Sequence, residues 1–133
     1  MSGLTRLTVL VVDDNRHSRV LVKEILAALG PAVEEADSGP AALRLLRDKA
    51  FDLVIVDSEM PGMTGADFTR ALRAQASHAD TAVLLMTAHG DQRRVMAASR
   101  AGVDGVVSKP LTPQILFTRI EAALRKRAQT AGR

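Results

Sequence analysis

Apolar residues along this chain gather into short runs, and amphipathic stretches separate one run from the next. Leu7 to Val12 (LTVLVV) and Phe51 to Val56 (FDLVIV) are rich in β-branched residues and scarcely alternate, the pattern of strands buried on both faces. Ala82 to Met86 (AVLLM) repeats that pattern, and Val103 to Val107 does so with Asp104 and Gly105 as its weak point. Ala32 to Ala36 is a poorer strand, and its Glu34 and Glu35 suit an edge. The intervening segments have helical spacing. Asn15 or Asp14 can cap a helix over Arg16 to Leu29, with Val20, Val22, Ile25, Leu26 and Leu29 apolar and Gly30-Pro31 as its stop. Ser38 caps a helix through Lys49 that carries Leu43, Leu45 and Leu46. Asp67 to Ala74 and Asp91 to Ala101 read as helices, the latter with Arg93, Arg94 and Arg100 outward. Thr112-Pro113 opens a last helix to about Lys126, with Ile115, Leu116, Ile120 and Leu124 inward. Ser58 to Gly65 (SEMPGMTG) is a loop.

Five strands alternating with five helices on short connections predict an α/β domain, a parallel sheet covered on both faces. A length of 133 residues suits one domain spanning 1–133, with a core over about 7–126 and a short basic tail at 127–133. No repeat, low-complexity stretch or linker interrupts it, so no separate output domain is expected. The chain lacks cysteine, which removes disulfides, thiolate metal sites and thiol nucleophiles. No apolar run approaches the roughly 18 residues of a membrane span, and Met1 to Arg6 is too short and polar for a secretory signal. A cytoplasmic protein with no membrane partner is expected. The net charge of +3 concentrates at Arg119, Arg125, Lys126, Arg127 and Arg133. With few aromatics, that cluster reads as a solvated helix end rather than a nucleic-acid site.

Ligands of open α/β sheets bind beyond the carboxyl ends of the strands. Asp13 and Asp14 follow the first predicted strand, Asp57 the third, Thr87 the fourth and Lys109 the fifth. Three carboxylates against one ammonium leave two negative charges uncompensated, and crowded carboxylates raise one another's pKa unless a cation intervenes. All-oxygen ligation favours a hard divalent ion, and Mg²⁺ is the natural choice. Asp57, alone at the end of a buried strand beside a Pro/Gly loop, is the candidate nucleophile for phosphoryl transfer. Mg²⁺ and Lys109 would counter the charge of the transferred group. The Thr87 hydroxyl could bond a phosphoryl oxygen and draw its loop with it.

With these residues in place, the chain resembles the receiver domain of two-component response regulators, of which the single-domain chemotaxis regulator is the simplest architecture. The resemblance rests on VVDDN (Val11 to Asn15), IVDSEMPGMTG (Ile55 to Gly65), MTA (Met86 to Ala88) and SKP (Ser108 to Pro110), and covers about Leu7 to Leu124. It implies a flavodoxin-like doubly wound (βα)5 fold with sheet order 2-1-3-4-5, for which chemotaxis regulators are a standing example. It implies Asp57 as phosphoacceptor, Asp14 as direct metal ligand, Asp13 acting partly through water, and the Glu59 carbonyl as a further ligand. Thr87 and Lys109 would contact the phosphoryl group, and the Lys109-Pro110 bond would be cis. A sensor histidine kinase or histidine phosphotransfer protein would be the donor, a downstream protein the target, and the receiver would assist its own dephosphorylation.

Two features depart from the usual pattern or vary within it. Family members often carry an aromatic residue three positions before the lysine, where this chain has Val106. A valine cannot signal by a ring flip, so output is expected through the Thr87 loop and the helix around Arg93 to Arg100. Glu59 and His89, each two residues past a key position, are expected to tune phosphoryl lifetime. His17 and His78 lack metal-site spacing; His17 is expected exposed and His78 in a polar loop. Competing readings are a pseudo-receiver that never takes phosphate, a hydrolase of the haloacid-dehalogenase type, and a nucleic-acid regulator acting through the basic end. The hydrolase would need Asp-x-Asp after the first strand, where this chain has Asp-Asp-Asn. Dimerisation on activation stays open.

Overall fold

A computed structural model describes residues 4–88 and 90–131. Strands β1 (Thr8–Val12), β2 (Ala32–Ala36), β3 (Leu53–Asp57), β4 (Ala82–Thr87) and β5 (Gly105–Ser108) form one parallel sheet in the order β2-β1-β3-β4-β5. They alternate with helices α1 (Arg16–Leu29), α2 (Gly39–Asp48), α3 (Gly65–Arg73), α4 (Gln92–Ala101) and α5 (Pro113–Ala131), with a short 3-10 turn at Ala76–His78 after α3. The expected α/β class and strand order are therefore present.

The two-residue period of a strand splits the core into two layers. Val9, Val11, Leu53, Ile55, Leu84, Met86 and Val107 meet Val22, Ile25 and Leu26 of α1 and Leu116, Ile120 and Ala123 of α5. Leu10, Val12, Val54, Val56, Val83 and Leu85 face α2, α3 and α4 through Ala42, Leu46, Phe68, Leu72 and Ala98. Ile115, expected inward, is exposed, as is Val20, read as one of the apolar positions of α1, because each lies off the stripe that its helix turns to the sheet. The edge strand β2 turns its carboxylates to cations: Glu35 pairs with Arg19 and Lys23, and Glu34 with Lys49.

Element ends differ from the sequence expectation where side chains take over backbone hydrogen bonds. Helix α3 starts at Gly65, two residues early, because Thr64 and Asp67 exchange hydrogen bonds in a capping box. Strand β3 starts at Leu53, and just before it the Asp52 carboxylate accepts from the Thr8 amide and hydroxyl. Strand β5 starts at Gly105, just after Asp104. Its carboxylate, with a side chain 0% exposed, accepts from the Val83 amide at 2.8 Å and ion-pairs with Arg73 and Arg127, both at 2.9 Å. Arg73 also donates to the carbonyls of Gly102, His78 and Thr81.

Arg127 is thus an anchor, not part of a solvated tail, and α5 runs to Ala131 rather than stopping near Lys126. Burial holds the Arg73 guanidinium below the ordinary arginine value, and nearby Arg127 adds to this while Asp104 opposes it. It remains charged at any working pH. His78, expected in an open polar loop, is buried beside this cluster. Among the described residues, no helix is long and apolar enough to cross a membrane.

Candidate functional site

At the carboxyl ends of the strands the backbone alternation decides which side chains can meet. Asp13 continues the β1 row of Val9 and Val11, Asp57 the β3 row of Leu53 and Ile55, and Lys109 follows Val107; all three fall on the α1 side of the sheet. Asp13, Asp14 and Asp57 offer carboxylate oxygens within 4.8 Å of one another. Lys109 Nζ lies 3.2 Å from Asp57 Oδ1 and donates to the Ser18 hydroxyl at 3.3 Å. The other Asp57 oxygen accepts from the Glu59 amide at 3.1 Å. The Lys109-Pro110 bond is cis.

These groups line an open cavity of about 290 Å³ together with Asn15, Ser18, Ser58, Glu59, Ala88 and Asp91. Asp13 is 1% exposed. Its Oδ1 accepts from the Asn15 amide at 2.9 Å, while among the described residues its buried Oδ2 has no hydrogen-bond partner. Burial raises the Asp13 carboxyl above the usual aspartate value, and Asp57 adds to that. The Asn15 amide and Lys109 lower it in part. A buried carboxylate oxygen without a donor, beside two more carboxylates, is what a hard cation would satisfy. The all-carboxylate make-up of the cluster suits Mg²⁺.

Gly65 keeps the loop after β3 tight against this cavity. A Cβ there would lie 2.6 Å from the Asp57 carbonyl oxygen and 2.6 Å from Leu85 Cδ1, closer than real Cβ contacts allow.

Thr87 takes a different place from the other candidates. It belongs to the β4 row of Val83 and Leu85, on the α3/α4 side, so its hydroxyl points away from the carboxylate cavity. It sits 3.3 Å from the Ser58 hydroxyl and 3.4 Å from the Ala88 carbonyl, and lines a separate cavity with Val95, Met96 and Ser108. Ser58 thereby stands between Thr87 and Asp57. Val106 is half-buried against the same layer of helices. His89 lies outside the described residues, and His17 is exposed as expected.

Sequence reading missed Ser18, Ser58 and Asp91, which reach the cavity from α1, the β3 loop and the α4 cap. No spacing rule marks a lone serine, but Ser18 follows its N-cap Asn15 by three residues, which turns it to the sheet end. Arg94, expected outward, instead bridges Glu59 and Asp91, each at 3.3 Å.

Comparison with known proteins agrees with this geometry. The family model for the response regulator receiver domain matches residues 9–121. The chain is 41% identical over 114 residues to the chemotaxis protein CheY of Pseudomonas aeruginosa, covering 85% of this chain and 92% of the relative. It is 37% identical over 114 residues to CheY-3 of Vibrio cholerae, covering 85% and 88%. The solved structure of CheY4 of Vibrio cholerae superposes with a TM-score of 0.83 at 32% identity, over 90% of this chain and 100% of that one. A receiver domain implies a kinase partner and phosphoacceptor signalling, and the acidic cluster is consistent with a phosphorylation site. Fold, acidic cluster and sequence likeness converge: the chain belongs to the response regulator receiver domains, signalling modules of two-component systems rather than classical enzymes.

Proposed function

We propose that this protein is a magnesium-dependent phosphorylation switch that takes its phosphoryl group on Asp57 from a histidine kinase or histidine phosphotransfer protein in the cytoplasm. The observation that carries this reading is the imbalance at the cavity. Three carboxylates converge on one ammonium, and buried Asp13 Oδ2 has no hydrogen-bond partner among the described residues. Asp13, Asp14, Asp57 and the Glu59 carbonyl would hold Mg²⁺, which when bound supplies charge neutralisation at the phosphoryl oxygens. Asp57 Oδ forms the new P–O bond as the donor's P–N bond breaks, its electron pair returning to the imidazole. Lys109, already on Asp57, offsets charge on the transferred group. The Thr87 hydroxyl exchanges Ser58 for a phosphoryl oxygen, and the loop leading into α4 moves with it, which changes the surface offered to a downstream protein.

The predicted outcome with acetyl phosphate and Mg²⁺ is a covalent adduct of one phosphoryl group, seen by intact mass and absent when the metal is chelated. A chain that stays unmodified with metal present would overturn the proposal and favour a static interaction module. Glu59 and His89 set the lifetime of the adduct. Alanine at either position is expected to change hydrolysis by more than about twofold; unchanged rates in both variants would remove that part.

A further inference from the structure

The exposed face of α4 is basic, yet one of its arginines turns back toward the acidic cavity. Arg94 Nη2 lies 3.3 Å from Glu59 Oε2, and Arg94 Nε lies 3.3 Å from Asp91 Oδ2. Glu59 and Asp91 both line the carboxylate cavity, while Arg94 lines the next one with Ser58, Thr64 and Asp91. The guanidinium thus stands in the wall between two cavities and draws two rim carboxylates toward the first turn of α4. Glu59 is also bound to the reacting group by its backbone, since its amide donates to Asp57 Oδ2. A single residue therefore connects the phosphoacceptor to α4, and Arg94 holds its free end.

We propose that Arg94 is a positioning residue that lengthens the life of the phosphoryl group on Asp57 by holding the Glu59 carboxylate against α4. The proposal rests on the phosphoacceptor reading above. In hydrolysis a water oxygen forms the new P–O bond, and the bond to Asp57 breaks with its electron pair going to the carboxylate. Both water protons end on the released dihydrogen phosphate. A Glu59 carboxylate free of Arg94 can reach over the rim and take a proton from the incoming water, passing it on to phosphate. Tied to α4, it cannot. Glu59 is exposed and Arg94 half-buried, and such a surface pair is worth no more than a few-fold in a rate. A threefold rate change corresponds to about 0.65 kcal/mol, within that reach.

The test is a double-mutant cycle on adduct lifetime, after loading with acetyl phosphate and Mg²⁺. Arg94→Ala is expected to speed hydrolysis about threefold or more, and Arg94→Lys to retain most of the wild-type lifetime. Combining Glu59→Gln with Arg94→Ala is expected to abolish the acceleration. In the metal-free, unphosphorylated protein, Arg94→Ala is expected to shift the Asp57 and Glu59 amide resonances. Unchanged hydrolysis in Arg94→Ala, or the same acceleration with glutamine at position 59, would overturn the proposal. Failure of the wild-type chain to form any adduct would instead overturn the phosphoacceptor reading beneath it.

Discussion

Asp104→Ala is expected to cost about 3 kcal/mol of folding stability, from a single side chain at the amino-terminal end of the sheet. Asp104 sits between two guanidiniums and also caps the Val83 amide. Removing it leaves Arg73 and Arg127 facing each other with side chains only 16% and 13% exposed. Breaking a buried pair from one side costs about 3–5 kcal/mol, and the remaining exposure of both arginines favours the lower end. Asp104→Asn returns an oxygen to the Val83 amide but no counter-charge, so most of the loss should persist. Urea unfolding measures it as a lower midpoint at unchanged slope. A loss below about 1 kcal/mol would show that the arginines are satisfied by the carbonyls of Gly102, His78 and Thr81 alone. The same cluster ties α3 and α5 to the start of β5, far from the acidic cavity, so phosphoryl acceptance by the folded fraction should survive.

Asp57→Asn is expected to behave in the opposite way, abolishing phosphoryl acceptance while leaving the fold intact. Asparagine keeps the size of the side chain and an oxygen for the Glu59 amide. It removes the anionic nucleophile, and it removes a negative charge that pushes up the Asp13 carboxyl. Relief of that repulsion offsets the loss of the charge pair with Lys109, so metal-free stability should hold, which separates lost chemistry from lost structure. With acetyl phosphate and Mg²⁺ the variant should gain no phosphoryl mass. Amide resonances over residues 87–100 should move on phosphorylation of the wild-type chain and stay in place in Asp57→Asn. An adduct of normal yield on the variant would show that another residue accepts the group.

The five strands and the cavity they serve were legible in sequence because both follow from strand chemistry. Buried parallel strands leave continuous apolar runs, and a polar residue at the end of such a run has only the sheet edge to occupy. Asp13, Asp57 and Lys109 were visible for that reason. Sequence order alone did not show that Thr87 belongs to the other face of the sheet: the alternation must be carried through the observed register, in which Thr87 lies opposite Ser108. Arg127 and Asp104 were misjudged for a related reason. Charge at a helix end reads as solvated until a partner more than twenty positions away is known, and no local pattern announces it. Arg94 shares that history, since its partner Glu59 lies on a different loop. Helix α5 outran its expected end because apolar spacing fades after Leu124, while no glycine or proline stops the backbone before Gly132.

The most direct measurement is a crystal structure of the chain grown with Mg²⁺ and beryllofluoride, a stable mimic of the phosphoryl group. The account predicts beryllium bonded to an Asp57 carboxylate oxygen, Lys109 and Thr87 on its fluorines, and the cation resting on Asp13, Asp14 and the Glu59 carbonyl. A cavity that takes up neither species under those conditions, or beryllium bonded to a different side chain, would contradict it.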